Sequence, residues 1–223
     1  MSRIEIECIR VGLIQTNCYL VRVEQDPERP FLAIIDPGED ADIIEAHLKW
    51  EPTHIILTHS HFDHVGALAC IHERHPSAII AAGSAEDFDA KSIEAVARSA
   101  MGYYASTTSL AKNGYKVPAP DLLLNDNDIL GPFRVLHTPG HTGGSICLFS
   151  EEHKVLFSGD TLFRHSYGRT DLGGSEEQMF RSLRRLLSLP ADTTVYPGHD
   201  EPTIIADEKR YFGFLFNTGN NSK

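Results

Sequence analysis

The segment THSHFDHVG, residues 58–66, places His59, His61, Asp63 and His64 within six positions. It overlaps the end of THIILTH (53–59), a short continuous apolar run that reads as a strand buried on both faces. The cluster therefore begins where a buried strand stops. Neutral imidazole nitrogen and carboxylate oxygen are the groups that divalent transition metals take up. On a turn after a strand, successive side chains point in different directions, so one short segment can serve two neighbouring sites. It closes neither of them alone.

Three later positions repeat the setting. HTPGHTGGS places His141, LFSGDTLF places Asp160 and VYPGHD places His199 directly after a glycine, just beyond an apolar run. Glycine lets the backbone turn tightly and come close to an ion. The other histidines, His47, His54, His72, His75, His137, His153 and His165, follow no such pattern and read as surface, helix-face or packing residues.

Around these motifs the chain alternates strands and helices. NCYLVRVE (17–24) has the alternation of a half-buried strand, and FLAIIDPG (31–38) is a strand running into a turn at Asp36. EDADIIEAHLKW (39–50) puts Ile43, Ile44, His47 and Leu48 on one helical face. A helix is expected over 65–75, stopped by Pro76, then a strand at 77–82 and a helix at 84–100. The tyrosine-rich stretch 101–120 reads as a long excursion, a lid or an interface. Strands follow at 128–140, 145–150 and 154–160, then a helix at 175–190 opened by Ser175 and Gln178 at capping-box spacing. A strand at 193–200 and a helix or helix pair at 203–217 complete the pattern. No low-complexity linker divides the chain, so one domain over 1–223 is expected, with two sheets carrying helices on their outer faces.

Composition bounds the function. With 41% apolar and 23% charged residues, the chain can bury a real core and has no apolar run of membrane-spanning length. A formal charge of −11 argues against a nucleic-acid surface. The opening MSRIEIECIR has no apolar stretch and is not a signal peptide. Cys8, Cys18, Cys70 and Cys147 form no Cys-x-x-Cys pair and read as reduced core thiols, as expected of a cytoplasmic protein.

Taken in order, THSHFDH, PGHTGGS, FSGDTLF and YPGHD resemble the successive metal motifs of the metallo-beta-lactamase superfamily, and NCYLVRVE and AIIDPG resemble its opening strands. The resemblance implies an α/β fold, a four-layer αββα sandwich of two mixed β-sheets flanked by helices, with the site at one edge. It also implies two divalent metal ions: zinc first, with iron or manganese equally suited to His and Asp ligands. His59, His61 and His141 would hold the first ion, and Asp63, His64 and His199 the second. Asp160 would bridge them, and Asp63 and Asp160 are the carboxylates implied in catalysis. Asp36 resembles the family's turn aspartate, which supports a ligand rather than binding metal.

An aspartate at 160, where common β-lactamases carry cysteine, resembles the thioester hydrolases and lactonases. SGDTLFRHSYGRTDLGGS is similar to the small glyoxalase II-like, or hydroxyacylglutathione hydrolase-like, enzymes. The activity implied is hydrolysis of a small-molecule acyl thioester of the S-lactoylglutathione type, by attack of a metal-bridging hydroxide. A thiolate leaving group, with a conjugate acid of pKa about 8.5, needs no strong general acid. Arg169 stands where full-length glutathione enzymes have other residues. It would bind a substrate carboxylate, or else pair internally with Asp171. The alternative of the same fold is a persulfide dioxygenase-like oxygenase, with a single iron on His59, His141 and Asp160. No nucleic-acid or membrane partner is expected, and the chain would be a monomer or homodimer.

Overall fold

A computed structural model of the protein describes residues 2–24 and 30–217; residues 1, 25–29 and 218–223 of the expected 1–223 unit lie outside that description. Two six-stranded sheets stack face to face. The first runs β1 (Arg3–Val11), β2 (Thr16–Glu24), β3 (Phe31–Ile35), β4 (His54–Leu57), β5 (Ile79–Gly83) and β6 (Leu122–Leu124). Its first three strands pair antiparallel, and β3 to β6 pair in parallel. The second runs β7 (Ile129–Leu130), β8 (Phe133–His137), β9 (Ile146–Ser150), β10 (Val155–Gly159), β11 (Thr194–Pro197) and β12 (Thr203–Ile204), with β10 and β11 its parallel pair. Both sheets are mixed, as expected.

Side-chain alternation assigns each strand face to a layer. In β2, Tyr19, Val21 and Val23 face the opposing sheet, while Cys18 and Leu20 face the helices. In β4, Ile56 points inward and Ile55 and Leu57 outward; in β10, Val155 and Phe157 point inward and Leu156 outward. The first sheet's outer face is covered by α1 (Ala41–His47), α2 (Phe62–Val65), α3 (Leu68–Arg74), α4 (Ala90–Met101) and α5 (Ser109–Lys112). The second is covered by α6 (Glu176–Leu186) and α7 (Ile205–Asn217). The result is the four-layer αββα sandwich.

Several local expectations change. The strand at β2 is buried on both faces, because one face meets a sheet and the other meets helices. The first strand, RIEIECIRV, was not assigned from the sequence; its charged alternate residues mark it as a sheet edge. The helix expected over 65–75 is two pieces, α2 and α3. They part where Ala67 N–H donates to the carbonyl of Pro37 (2.9 Å) and the chain leaves the first helix. The helix expected from residue 84 begins at Ala90, since the Asp89 carboxylate accepts from the amides of Lys91 (3.0 Å) and Ser92 (3.2 Å). At α6, the Ser175 hydroxyl accepts from Gln178 N–H as the spacing predicts. Ile43 is 47% exposed, so only Ile44 of the expected apolar pair enters the core. Cys18 and Cys147 are buried, but Cys8 and Cys70 are exposed and are not core thiols. The stretch 101–120 is not a loose excursion. It forms a short 3-10 helix (Gly102–Thr107) and α5, and it buries Ala105, Leu110 and Tyr115 in the helical layer.

One ionisable cluster outside the metal motifs is built on a buried histidine. His75, at the end of α3, contacts Glu51 through Nδ1 (2.8 Å) and Glu45 through Nε2 (3.1 Å). Burial lowers the imidazole pKa, but the two carboxylates outweigh it and hold the value above 6.5. The stabilisation is therefore full below the ordinary histidine pKa and is lost as pH rises through the raised value. His75→Gln is expected to lower the melting temperature by about 2–4 °C at acidic pH and by less at alkaline pH. Melting curves at both pH values check this, and a larger deficit on the alkaline side contradicts it.

Candidate metal centre

The site lies where parallel strands of both sheets end. Asp36 follows β3, His59 and His61 follow β4, Asp160 follows β10, and His199 follows β11. Parallel neighbours bring their carboxyl ends to the same edge, which is where open α/β sheets place their ligands. The two sheets are tied there through the backbone: Ile146 N–H donates to Thr58 O (2.9 Å) and Asn17 N–H to Gly198 O (2.7 Å). Gly198 is required at this edge, since a Cβ would stand 2.2 Å from Asp160 Oδ1 and 2.8 Å from His64 Cε1.

All seven side chains assigned to metal from the sequence converge. One potential ligand atom from each residue falls into the groups His59–His61–His141, His59–His64–Asp160 and Asp63–His64–His199, with every atom in a group within 4.8 Å of the others. The Asp160 carboxylate faces both histidine sets, with Oδ2 3.5 Å from His141 Nε2 and 3.6 Å from His199 Nε2, and Oδ1 3.4 Å from His64 Nε2. Asp63 Oδ2 lies 3.2 Å from His199 Nε2 and accepts from the Thr16 hydroxyl (2.9 Å).

The Nε2 atoms of His59, His64 and His141 and the Oδ1 of Asp160 are buried and have no hydrogen-bond partner. Their opposite ring nitrogens are all engaged. His141 Nδ1–H donates to the carbonyl of Arg169 (2.6 Å), which leaves Nε2 as a bare lone pair. His64 Nδ1 meets Asp36 Oδ2 (3.0 Å). The Thr58 hydroxyl donates to the same carboxylate (2.7 Å), so it is free to accept from His59 Nδ1 (3.1 Å). Asp36 thus orients His64 directly and His59 through Thr58. This arrangement fits divalent cations, because the partners on Nδ1 of His59, His64 and His141 favour the tautomer that leaves Nε2 to a cation.

The electrostatics are those of a buried donor set. Burial pushes His59 well below its ordinary value, and burial together with His141 pushes His61 down to about 3. Burial raises the two carboxyls, but His64 outweighs it: Asp63 is held well below the carboxylate range and Asp160 at about 2. Burial lowers His64 and His199, yet the carboxylates around them, Asp63 foremost, raise both.

Two assignments take a more specific form. The Arg169 guanidinium is held by Asp171 through two 2.6 Å hydrogen bonds, Nε to Oδ1 and Nη2 to Oδ2, so the internal pair is what forms. Its contribution to the centre is the backbone carbonyl on His141. Gly168 allows that approach, since a Cβ there would lie 1.9 Å from Asp160 O. Asp36 supports ligands without joining a ligand group. No sequence pattern marks Thr16, Thr58 or Glu86. Glu86 accepts from the hydroxyls of Ser60 (2.7 Å) and Thr142 (2.6 Å), and so joins the two loops that carry His61 and His141.

The profile of the metallo-beta-lactamase superfamily matches residues 11–199. The chain belongs to the metallo-beta-lactamase superfamily. Among similar members, hydroxyacylglutathione hydrolase of Ectopseudomonas mendocina (strain ymp) is 34% identical over 183 residues, 79% of this chain and 59% of that enzyme. The chain therefore spans less than two thirds of that relative. TTHA1623, solved in a di-iron-bound form, superposes with a TM-score of 0.76 at 35% identity, covering 94% of this chain and 100% of that one. BLEG-1 B3 metallo-beta-lactamase superposes with a TM-score of 0.75 at 32% identity, covering 95% and 100%.

In this superfamily member the orientation of the rings is open to test. In Asp36→Asn an amide N–H faces His64 Nδ1, which turns the ring proton onto Nε2 and into the site; asparagine also tolerates the backbone φ of 52° there. Chelator-competition titration is expected to show metal affinity falling about 10–100-fold. Thr58→Val is expected to weaken the site at His59 while sparing the Asp63–His64–His199 group. Equal affinities in both variants and the wild type would contradict the assignment.

Proposed function

We propose that the protein is a binuclear metal-dependent hydrolase of acyl thioesters, with zinc, iron or manganese as its cations. The observation that carries this is the set of four buried, unpartnered donor atoms, on His59, His64, His141 and Asp160, of which His141 and Asp160 also line a cavity large enough for a substrate. His59, His61 and His141 would hold one cation, Asp63, His64 and His199 the other, and Asp160 would face both. Bound there, divalent cations lower the pKa of coordinated water towards neutrality and polarise a carbonyl oxygen.

The chain's own groups narrow the reaction. The titratable side chains lining the cavity, among the described residues, are His61, Asp63, His141, Asp160, Arg169 and His199. All are donors of the centre except Arg169, which is paired. No spare acid stands ready to protonate a leaving nitrogen, whereas a thiolate departs without one. The named hydroxyacylglutathione hydrolase relative supports the same chemistry, and the di-iron form of TTHA1623 supports iron as a candidate metal. A mononuclear oxygenase on His59, His141 and Asp160 leaves His61, Asp63, His64 and His199 without a role.

Metal-loaded protein is expected to turn over acyl thioesters and to hydrolyse a β-lactam more slowly. Chelation should remove the activity, and re-addition of metal should restore it. Asp160→Ala should lower kcat/KM by about 100-fold or more. Colorimetric thiol release measures each outcome, and turnover that persists in metal-free protein would end the proposal.

A further inference from the structure

The cavity over the metal centre has a volume of about 380 Å3. Its floor is polar, but its walls are not. Ile14 comes from the β1–β2 turn, Phe62 from α2, Val96 and Met101 from α4, and Phe163 and Leu172 from the loop after β10. The apolar surface continues outward. Ile14 is 43% exposed and Leu13 71% exposed, and with Phe62 and Met101 they line an adjoining hollow. Contiguous apolar surface beside a reactive centre marks a ligand face.

Charge is distributed against an anionic ligand. Arg169 is the one Lys or Arg side chain lining the cavity among the described residues, and Asp171 pairs with its guanidinium through Nε and Nη2. A neighbouring cleft of about 320 Å3 shares His61, Val96 and Leu172 with the cavity and adds Glu86 and Asp87. A glutathionyl thioester carries two carboxylates and one ammonium group. Among the described residues neither wall offers those carboxylates an unpaired Lys or Arg, and a carboxylate desolvated without a partner binds poorly.

We propose that the substrate is a thioester of an apolar acyl chain on an uncharged thiol carrier, with the chain lying along the Ile14–Met101 wall. This rests on the thioester reading above and names the substrate class within it. Water adds to the thioester carbonyl and the C–S bond breaks; the acyl group leaves as a carboxylate and the carrier as a thiolate, and of the water's two protons one ends on that sulfur and the other is released to solvent.

The test uses metal-loaded protein with N-acetylcysteamine thioesters from acetyl to decanoyl, beside S-acylglutathiones of the same chains. The neutral series should gain about fourfold in kcat/KM per methylene until the chain fills the cavity. Each glutathione thioester should be about tenfold slower than its neutral counterpart. Ala100→Arg, which places a guanidinium on the α4 side of the cavity, should reduce or reverse that carrier preference. A flat chain-length profile, or faster turnover on glutathione in the wild type, overturns the proposal. If no thioester on either carrier is cleaved, the hydrolase reading itself has failed. Calorimetry of alkanethiols and glutathione on the metal-loaded protein then decides the ligand class. Affinity rising from propanethiol to hexanethiol upholds the apolar class, and glutathione binding as tightly as hexanethiol overturns it.

Discussion

Three imidazole nitrogens and a carboxylate oxygen are buried at one sheet edge without a hydrogen-bond partner. An unsatisfied buried polar atom destabilises a fold by about 1–3 kcal/mol, so a cluster of them is a strained arrangement unless a cation completes it. The surrounding structure keeps them in place. Asp36 holds His64 and, through Thr58, His59; the carbonyl of Arg169 holds His141. Each support fixes the far nitrogen of a ring and leaves the near one bare, which is the state a divalent cation requires.

The layered fold makes that convergence possible. Strands β3 and β4 in one sheet and β10 and β11 in the other end at the same rim, and backbone hydrogen bonds from Ile146 to Thr58 and from Asn17 to Gly198 lock the two sheets together. Large apolar side chains fill the space between the sheets, among them Tyr19, Ile56, Phe133 and Phe157, and this sets the spacing of the two rims. The metal-binding capacity of the centre is therefore a property of packing as much as of the motifs.

The motifs were legible because their signal is local. His59 to His64 lie on one turn, and His141, Asp160 and His199 each follow a glycine at the end of an apolar run, a pattern that short stretches of sequence contain. The layers were legible through the family resemblance those motifs carry. What escaped depends on contacts between distant segments. Thr16 reaches Asp63 across 47 positions and Glu86 reaches Thr142 across 56, with no local pattern to mark either. Whether Arg169 would meet a substrate or Asp171 was decided by side-chain geometry that spacing does not encode. The first strand was masked by its charged edge face, and stretch 101–120 by small and polar residues that hide the burial of Ala105, Leu110 and Tyr115. Among the described residues no helix is long and apolar enough to cross a membrane, in line with the hydropathy of the chain.

The account stands on a pair of cations held by these seven side chains. Anomalous diffraction from crystals of the metal-loaded protein, recorded at the absorption edge of the loaded metal, tests that most directly. The prediction is two peaks: one about 2.0–2.2 Å from donors of His59, His61 and His141, the other at the same range from donors of Asp63, His64 and His199. The Asp160 carboxylate should lie between them. No peak at this rim, or His141, Asp160 or His199 turned away from it, would contradict the account.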